Sequence, residues 1–128
     1  MRPLLFFKDA DPVHAAKGAQ LVKFLNTGQA CISPNRLLVH KSLVEPFVET
    51  LSERVGKMKA GSGFEDGITI GPLVDKAAVA KVENQVLDAT RLGAEVVCGG
   101  HKLTDDGLDC GYFYAPTVLD SVTPEMLI

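Results

Sequence analysis

Apolar residues recur along this chain with two different spacings, which predict alternating strands and helices. Short apolar runs at residues 4–7 (LLFF) and 35–40 (NRLLVH) predict two strands. Between them, Asp11 and Pro12 have the residue types of an N-cap and a first helical position. A helix is therefore predicted from Pro12, and Gly28 is placed to end it in a left-handed turn.

Apolar residues three and four positions apart predict two further helices. The first has a capping box, Ser42 to Glu45, with Pro46 in its first turn. The second begins near Asp75 and ends near Gly93. The apolar faces of these two helices comprise Val44, Val48, Leu51, Val55 and Met58 in the first, and Val79, Val82, Val86 and Ala89 in the second. Residues 59–72, which contain four glycines, form a long loop between them.

Two more strands are predicted near the end of the chain. Residues 94–100 (AEVVCGG) have the composition of a short buried strand, and residues 112–120 form a strand in which Pro116 indicates an edge or a bulge. The order β-α-β-α-α-β-β predicts an α/β fold with a mainly parallel sheet. We expect one domain over residues 1–128, and both ends resemble elements of a larger domain.

Composition and charge narrow the class of protein. The chain has 128 residues, 46% of them hydrophobic and 23% charged, which is typical of a soluble globular protein. With a net charge of -3 and no basic run, the sequence indicates no nucleic-acid partner. No apolar run approaches the roughly 18 residues of a membrane span or forms a secretory signal. Three widely spaced cysteines predict neither a disulfide framework nor a metal site, so we expect a reducing, cytoplasmic setting.

Cys31 lies in an unusually polar stretch, NTGQACISPNR at residues 26–36. Small neighbours leave space around its sulfur, and a turn can direct backbone N–H groups at an oxyanion. However, neither His14 nor His40 has a spacing that would place it beside the sulfur as a base. These residues alone therefore favour a small thiol that fills a helix–strand corner over a catalytic cysteine. Cys98 is predicted to pack in the core, and Cys110 to be exposed.

The segment FLNTGQACISPNRLLVH closely resembles the active-site segment of the aldehyde dehydrogenase superfamily. In that segment an Asn, a variable residue, Gly and Gln precede the nucleophilic cysteine. The resemblance continues through FFKDADPVHAAKGA before it and GYFYAPTVL after it, so that it covers Leu4 to Met126. Two stretches, ITIGPLVDKAAVAKVE and GAEVVCGG, are most similar to succinate-semialdehyde dehydrogenases.

This resemblance implies a function and a role for Cys31. In the family, the cysteine attacks an aldehyde, the resulting thiohemiacetal loses a hydride to NAD or NADP, and water hydrolyses the thioester to the acid. Cys31 would be the nucleophile, and its backbone N–H would be half of the oxyanion hole.

The resemblance also implies that several functional groups of the family are not in this sequence. The general-base glutamate and the oxyanion-hole asparagine would precede Met1, the glutamate that contacts the nicotinamide ribose would follow Ile128, and no cofactor-binding domain is recognisable. We therefore expect no cofactor-binding residues and no dehydrogenase activity in the isolated chain. Two alternatives are a non-catalytic binding or assembly module and a weak thiol esterase. Exposed sheet edges would favour a homo-oligomer.

Overall fold

A computed structural model describes residues 3–128 of the chain. The chain forms two compact units, Met1–Lys57 and Met58–Ile128. The first unit carries the cysteine segment, and the second carries the glycine-rich loop and the remaining helix and strands. That the two units form a single domain stays a prediction.

The first unit is a parallel strand pair with two helices. Its elements are β1 (Leu4–Phe6), α1 (Pro12–Phe24), β2 (Leu37–Val39) and α2 (Val44–Gly56). β1 and β2 pair in parallel, with Leu5 opposite Leu38. Because parallel neighbours need a crossover connection, the chain leaves β1, runs through α1 and returns to β2.

The core of the first unit lies where α1 packs against α2. From α1 it contains two small residues, Ala16 and Ala19, which allow the helices to approach closely. From α2 it contains Phe47, Leu51 and Val55. The apolar spacing predicted Leu51 and Val55 but missed Phe47, whose ring lies 5.0 Å from that of Phe6 in β1.

The start of α1 is as predicted, whereas the start of α2 differs. The Asp11 carboxylate accepts the backbone N–H of His14, and Pro12 opens the helix. The predicted capping box of α2 is wrong, because Ser42 lies inside a short 3₁₀ turn, Lys41–Leu43, and α2 begins only at Val44. The His40 imidazole instead accepts the Ser42 backbone N–H at 3.3 Å.

The second unit contains one helix and an antiparallel strand pair. Its elements are α3 (Lys76–Arg91), β3 (Glu95–Cys98) and β4 (Val118–Asp120). The Asp75 side chain caps α3 by accepting the Ala78 N–H at 2.7 Å, as its residue type predicts. Two apolar clusters form the core of this unit, and they contain Leu73, Val79, Val86 and Tyr114 in one and Ala89, Ala94 and Met126 in the other.

The predicted α/β class and the order β-α-β-α-α-β-β are confirmed. The predicted parallel pairing is found in β1–β2, and the antiparallel pairing of β3 with β4 is a feature that the sequence did not indicate. β3 is not the buried strand that its apolar residues predicted, since Val96 and Val97 are 42% and 38% exposed. Among residues 3–128, β3 pairs only with β4, so its other edge has no strand neighbour.

The predicted strand at residues 112–120 is much shorter than expected. Only Val118–Asp120 is a strand, and Tyr114 makes an isolated bridge to Lys102. Pro116 interrupts the run because it has no N–H to donate. Its carbonyl lies against Gly99, which has a φ of +74° and leaves no room for a Cβ, so this close approach requires glycine.

Candidate active site

Cys31 lies on a turn between α1 and β2. The backbone N–H of Ser33 donates to the Ala30 carbonyl at 3.0 Å, which closes a four-residue turn with Cys31 and Ile32 at its centre. The Cys31 side chain is exposed, so its sulfur is accessible to a reagent in this structure. This placement differs from that of a core cysteine, which packing would make unreactive.

The backbone immediately before this turn is left-handed over three consecutive residues. Asn26, Thr27 and Gly28 have φ values of 50°, 58° and 76°. The predicted left-handed Gly28 is confirmed, but α1 has already ended at Phe24. Gly28 adopts this conformation readily and Asn26 tolerates it, whereas β-branched Thr27 is strained there. Such strained residues persist only where surrounding contacts hold them in place.

Lys23, in the last turn of α1, forms hydrogen bonds with residues that follow Cys31 in the sequence. Its Nζ donates to Ser33 Oγ at 3.2 Å and to Asn35 Oδ1 at 2.8 Å. In return, Ser33 Oγ donates to the Lys23 carbonyl at 2.9 Å. Lys23 was not predicted as a site residue, because a lysine near a helix C-terminus is common and nothing in its position indicates a contact with a residue twelve positions later.

Burial of the half-buried Lys23 side chain lowers the pKa of its ammonium below the usual 10.5. Between this lowered pKa and 10.5, the unfolded chain binds more protons than the folded one. The free energy of unfolding should therefore gain a contribution that rises with pH in this window and is lost in Lys23→Met. Urea unfolding of both proteins from neutral pH to about 10.5 measures the difference. Curves that stay parallel in this window would contradict this assignment.

The two unfolding free energies have to be subtracted from each other, because other groups make contributions to stability that fall as the pH rises. Burial raises the pKa of Tyr114, with a further contribution from Glu83, and burial also raises the pKa of Cys98. Each of these groups holds its proton longer in the folded state, so its contribution to stability falls as the pH rises. Both are present in the wild type and in Lys23→Met, and their contributions cancel in the difference.

The hydrogen bonds around Cys31 leave one backbone donor available. Within residues 3–128, no hydrogen bond engages the Cys31 N–H. Neither flanking histidine is hydrogen-bonded to the thiol. His14 Nδ1 lies 3.3 Å from Asp11 Oδ1, and His40 Nδ1 lies 2.9 Å from the Ser42 hydroxyl oxygen. The turn thus offers a sulfur and an amide donor, while the described part of the chain places no hydrogen-bonded base beside them.

The other two cysteines have different surroundings. Cys98 is half-buried in β3, whereas Cys110 is exposed and its thiol donates to the Gly107 carbonyl at 2.9 Å. All three cysteines are free thiols. Among the described residues, no group of three or more His, Cys, Asp and Glu side chains could hold a metal ion.

Residues 59–72 form a loop without a helix or strand, in which Ala60 and Ile70 make an isolated parallel bridge. No strand leads into this loop, so it does not form the strand–glycine turn–helix unit that binds a dinucleotide. None of the helices in residues 3–128 has the length and apolar character needed to span a membrane.

Comparisons with known proteins place this geometry in a family. The sequence model described as the aldehyde dehydrogenase family matches residues 1–128. The chain is 46% identical, over 120 residues, to the succinate-semialdehyde dehydrogenase [NADP(+)] GabD of Escherichia coli K12, and the match covers 94% of the chain and 24% of GabD.

Solved structures agree with the sequence comparison. A succinate-semialdehyde dehydrogenase from Burkholderia pseudomallei is similar, with a TM-score of 0.90 and 40% identity over 97% of this chain and 25% of that one. An NAD+ complex of an aldehyde dehydrogenase from Bacillus cereus has a TM-score of 0.88 and 34% identity over 98% of this chain and 25% of that one. The chain therefore spans about a quarter of the length of the relatives it matches. Its sequence and both structural likenesses agree that this chain belongs to the aldehyde dehydrogenase family.

Proposed function

We propose that this chain supplies the nucleophile for the oxidation of an aldehyde to a carboxylic acid, with Cys31 as the reacting residue. The observation that carries the proposal is the exposed Cys31 thiol, which lies on a turn in a chain whose whole length matches the family. The Cys31 N–H, which no residue in the range 3–128 engages, supports a role for this amide as an oxyanion donor.

The proposed covalent steps on this chain begin and end with the free thiol. The Cys31 thiolate attacks the aldehyde carbon, a carbon–sulfur bond forms, and the carbonyl oxygen receives the negative charge. The Cys31 N–H stabilises this oxyanion at the moment the charge develops. In the complete enzyme, an acceptor outside the described residues would take a hydride from the same carbon, which would leave a thioester on Cys31. Hydrolysis then releases the acid and returns the thiol.

A nicotinamide cofactor, as bound in the Bacillus cereus relative, would supply the hydride acceptor. The described residues do not fit such a cofactor, because they contain no strand–glycine turn–helix unit. We therefore assign no cofactor-binding residue and derive no step through the cofactor. For the same reason, we propose that the isolated 128-residue chain does not oxidise aldehydes.

Succinate semialdehyde is the substrate that we propose for the complete reaction. The support is the 46% identity to GabD and the 40% identity to the Burkholderia pseudomallei enzyme, both of which are named for this activity. The three free thiols support a reducing, cytoplasmic setting.

A chimera with GabD tests the proposed function. The GabD segment matched by this chain is replaced with the corresponding 120 residues, and reduction of NADP is followed with succinate semialdehyde. Activity in the chimera would support the proposal, since the remaining three quarters of the enzyme come from a relative named for this reaction. A folded chimera that binds NADP but has no activity would contradict it.

The strand edges support a second proposal, that the isolated chain self-associates. Within residues 3–128 each strand pairs with one neighbour, so that the outer edges of both strand pairs have no strand partner. Leu5 and Leu38, which are opposite each other in β1 and β2, are exposed. Unpaired edges of this kind favour strand addition. Sedimentation should therefore show a dimer or a larger species, and a strict monomer at high concentration would contradict this proposal.

A further inference from the structure

We propose that Lys23 is a positioning residue, which holds the Cys31 turn by joining the end of α1 to Ser33 and Asn35. This inference deepens the proposed function and rests on it, because a positioned thiol matters only if Cys31 reacts. Lys23, Ser33 and Asn35 are called the lysine clamp below.

The lysine clamp connects the two sides of the cysteine turn. Lys23 lies eight positions before Cys31, whereas Ser33 and Asn35 lie two and four positions after it. Three hydrogen bonds of 2.8 to 3.2 Å join Lys23 to the other two residues, and they use both its ammonium and its backbone carbonyl. The segment with the thiol is therefore a loop whose two ends are joined by hydrogen bonds.

The lysine side chain also passes close to the left-handed segment. A Cβ at Gly28 would lie 3.2 Å from the Lys23 carbonyl oxygen, 3.7 Å from Nζ and 3.8 Å from Cε. Lys23 thus lies against the backbone three residues before Cys31 and is bonded to the chain two residues after it. Lys23 therefore contacts the chain on both sides of the turn, and a change at Lys23 would remove both contacts together.

The strain in this segment explains why such a clamp is needed. Thr27 has a positive φ, and a strained conformation of this kind costs on the order of 1–3 kcal/mol. The Lys23 carbonyl is one of the last four carbonyls of α1, which have no partner within a helix, and Ser33 Oγ supplies a donor to it. The clamp offsets part of the strain with charge-assisted hydrogen bonds, which are stronger than neutral ones.

The consequence for chemistry is that the reactivity of Cys31 should depend on Lys23. Without the clamp, the left-handed segment can relax to ordinary backbone conformations and the turn samples other arrangements. The sulfur and the Cys31 N–H then no longer meet a carbonyl in one fixed geometry. Misplacement by about 1 Å is sufficient to reduce rates substantially in positioned reactions.

Acylation by p-nitrophenyl acetate measures this dependence on the chain as it stands. The Cys31 thiolate attacks the ester carbonyl, the new carbon–sulfur bond forms, and p-nitrophenolate leaves with the electron pair of the broken carbon–oxygen bond. Peptide mass spectrometry after short reaction times gives the acylated fraction at each cysteine. Exposed Cys110 is an internal reference thiol in the same molecule, and the measured quantity is the ratio of the Cys31 rate to the Cys110 rate.

Four variants separate a positioning role from a general loss of structure. Lys23→Met removes the ammonium and keeps an unbranched stem, and it should lower the rate ratio about tenfold. Lys17→Met makes the same change at an exposed position of α1 and should leave the ratio unchanged. Lys23→Arg keeps a charged donor and should restore most of the ratio. Ser33→Ala removes two of the three bonds without touching the lysine and should also lower the ratio.

The outcomes distinguish this inference from the proposed function. If Cys31 reacts no faster than Cys110 in the wild type, the positioning role is contradicted, whereas the proposed function is decided separately by the GabD chimera. If Cys31 is faster and neither Lys23→Met nor Ser33→Ala changes the ratio, the positioning role alone is overturned. If Lys23→Met unfolds the chain, Ser33→Ala decides: a lowered ratio in a folded protein supports the clamp, and an unchanged ratio overturns it. Failure of Lys23→Arg to restore any of the ratio would also count against it.

Discussion

Cys31→Ala is expected to lower aldehyde oxidation by the GabD chimera by a factor on the order of 10⁴ or more, because covalent catalysis ends with the loss of the nucleophile. No other side chain from Asn26 to Ser33 is a thiol. The effect should be on kcat, while binding of NADP stays unchanged. Reduction of NADP at saturating succinate semialdehyde gives the rate, and calorimetry gives the cofactor affinity.

Two matched variants control for the loss of a thiol and for a change of volume. Cys110→Ala removes an exposed thiol from the second unit and should leave the chimera fully active. Cys31→Ser keeps the size of the side chain but replaces the thiol with a far less acidic hydroxyl, and should be nearly as inactive as Cys31→Ala. If Cys31→Ala retained more than about a tenth of the activity, the nucleophile would have to be another residue.

Phe47→Ala is expected to lower the free energy of unfolding of the first unit by about 3–5 kcal/mol. Phe47 is 2% exposed and lies in α2, which packs against α1, so its removal leaves a cavity in the core of this unit. Its ring also contacts Phe6, with centroids 5.0 Å apart, and this contact links the helix pair to β1. Aromatic pairs contribute about 0.5–1.5 kcal/mol of stability beyond that of the apolar area they bury.

Urea unfolding followed by circular dichroism measures this loss, and Leu21→Ala is the matched control. Leu21 is in α1 but is 72% exposed, so its truncation should change stability by less than about 0.5 kcal/mol. A loss below about 1 kcal/mol for Phe47→Ala would show that the helix interface is not the core of this unit.

Local residue chemistry predicted most of the elements of this fold. Asp11 with Pro12, and Asp75 before α3, mark helix starts because a carboxylate at the N-cap satisfies a free backbone donor, and this rule depends only on neighbours. The same rule failed at Ser42, where the 3₁₀ turn places the serine before the helix begins.

The buried Phe47 was not predicted from the apolar pattern of α2. Val44 and Val48 are also apolar and four residues apart, so the sequence pattern assigned them, and not Phe47, to the apolar face.

The candidate site was predictable only in part. The resemblance of the cysteine segment predicted Cys31 as the nucleophile, and this role stays a proposal for a thiol that the structure shows to be exposed. The strained backbone before it was not predictable, because Thr27 rarely adopts a positive φ and does so here in a closed loop. The role proposed for Lys23 depends on contacts with Ser33 and Asn35 across that loop, which no periodicity or local motif encodes.

The most direct test of the account is the relative acylation of Cys31 and Cys110 by p-nitrophenyl acetate in the native chain and in denaturing urea. We predict that native Cys31 reacts about tenfold faster than Cys110, since its turn pairs an accessible sulfur with a free amide donor. In urea the two rates should become similar, because the turn is lost. Equal rates in the native chain, or the same ratio in both states, would contradict the claim that this fold presents Cys31 as a nucleophile.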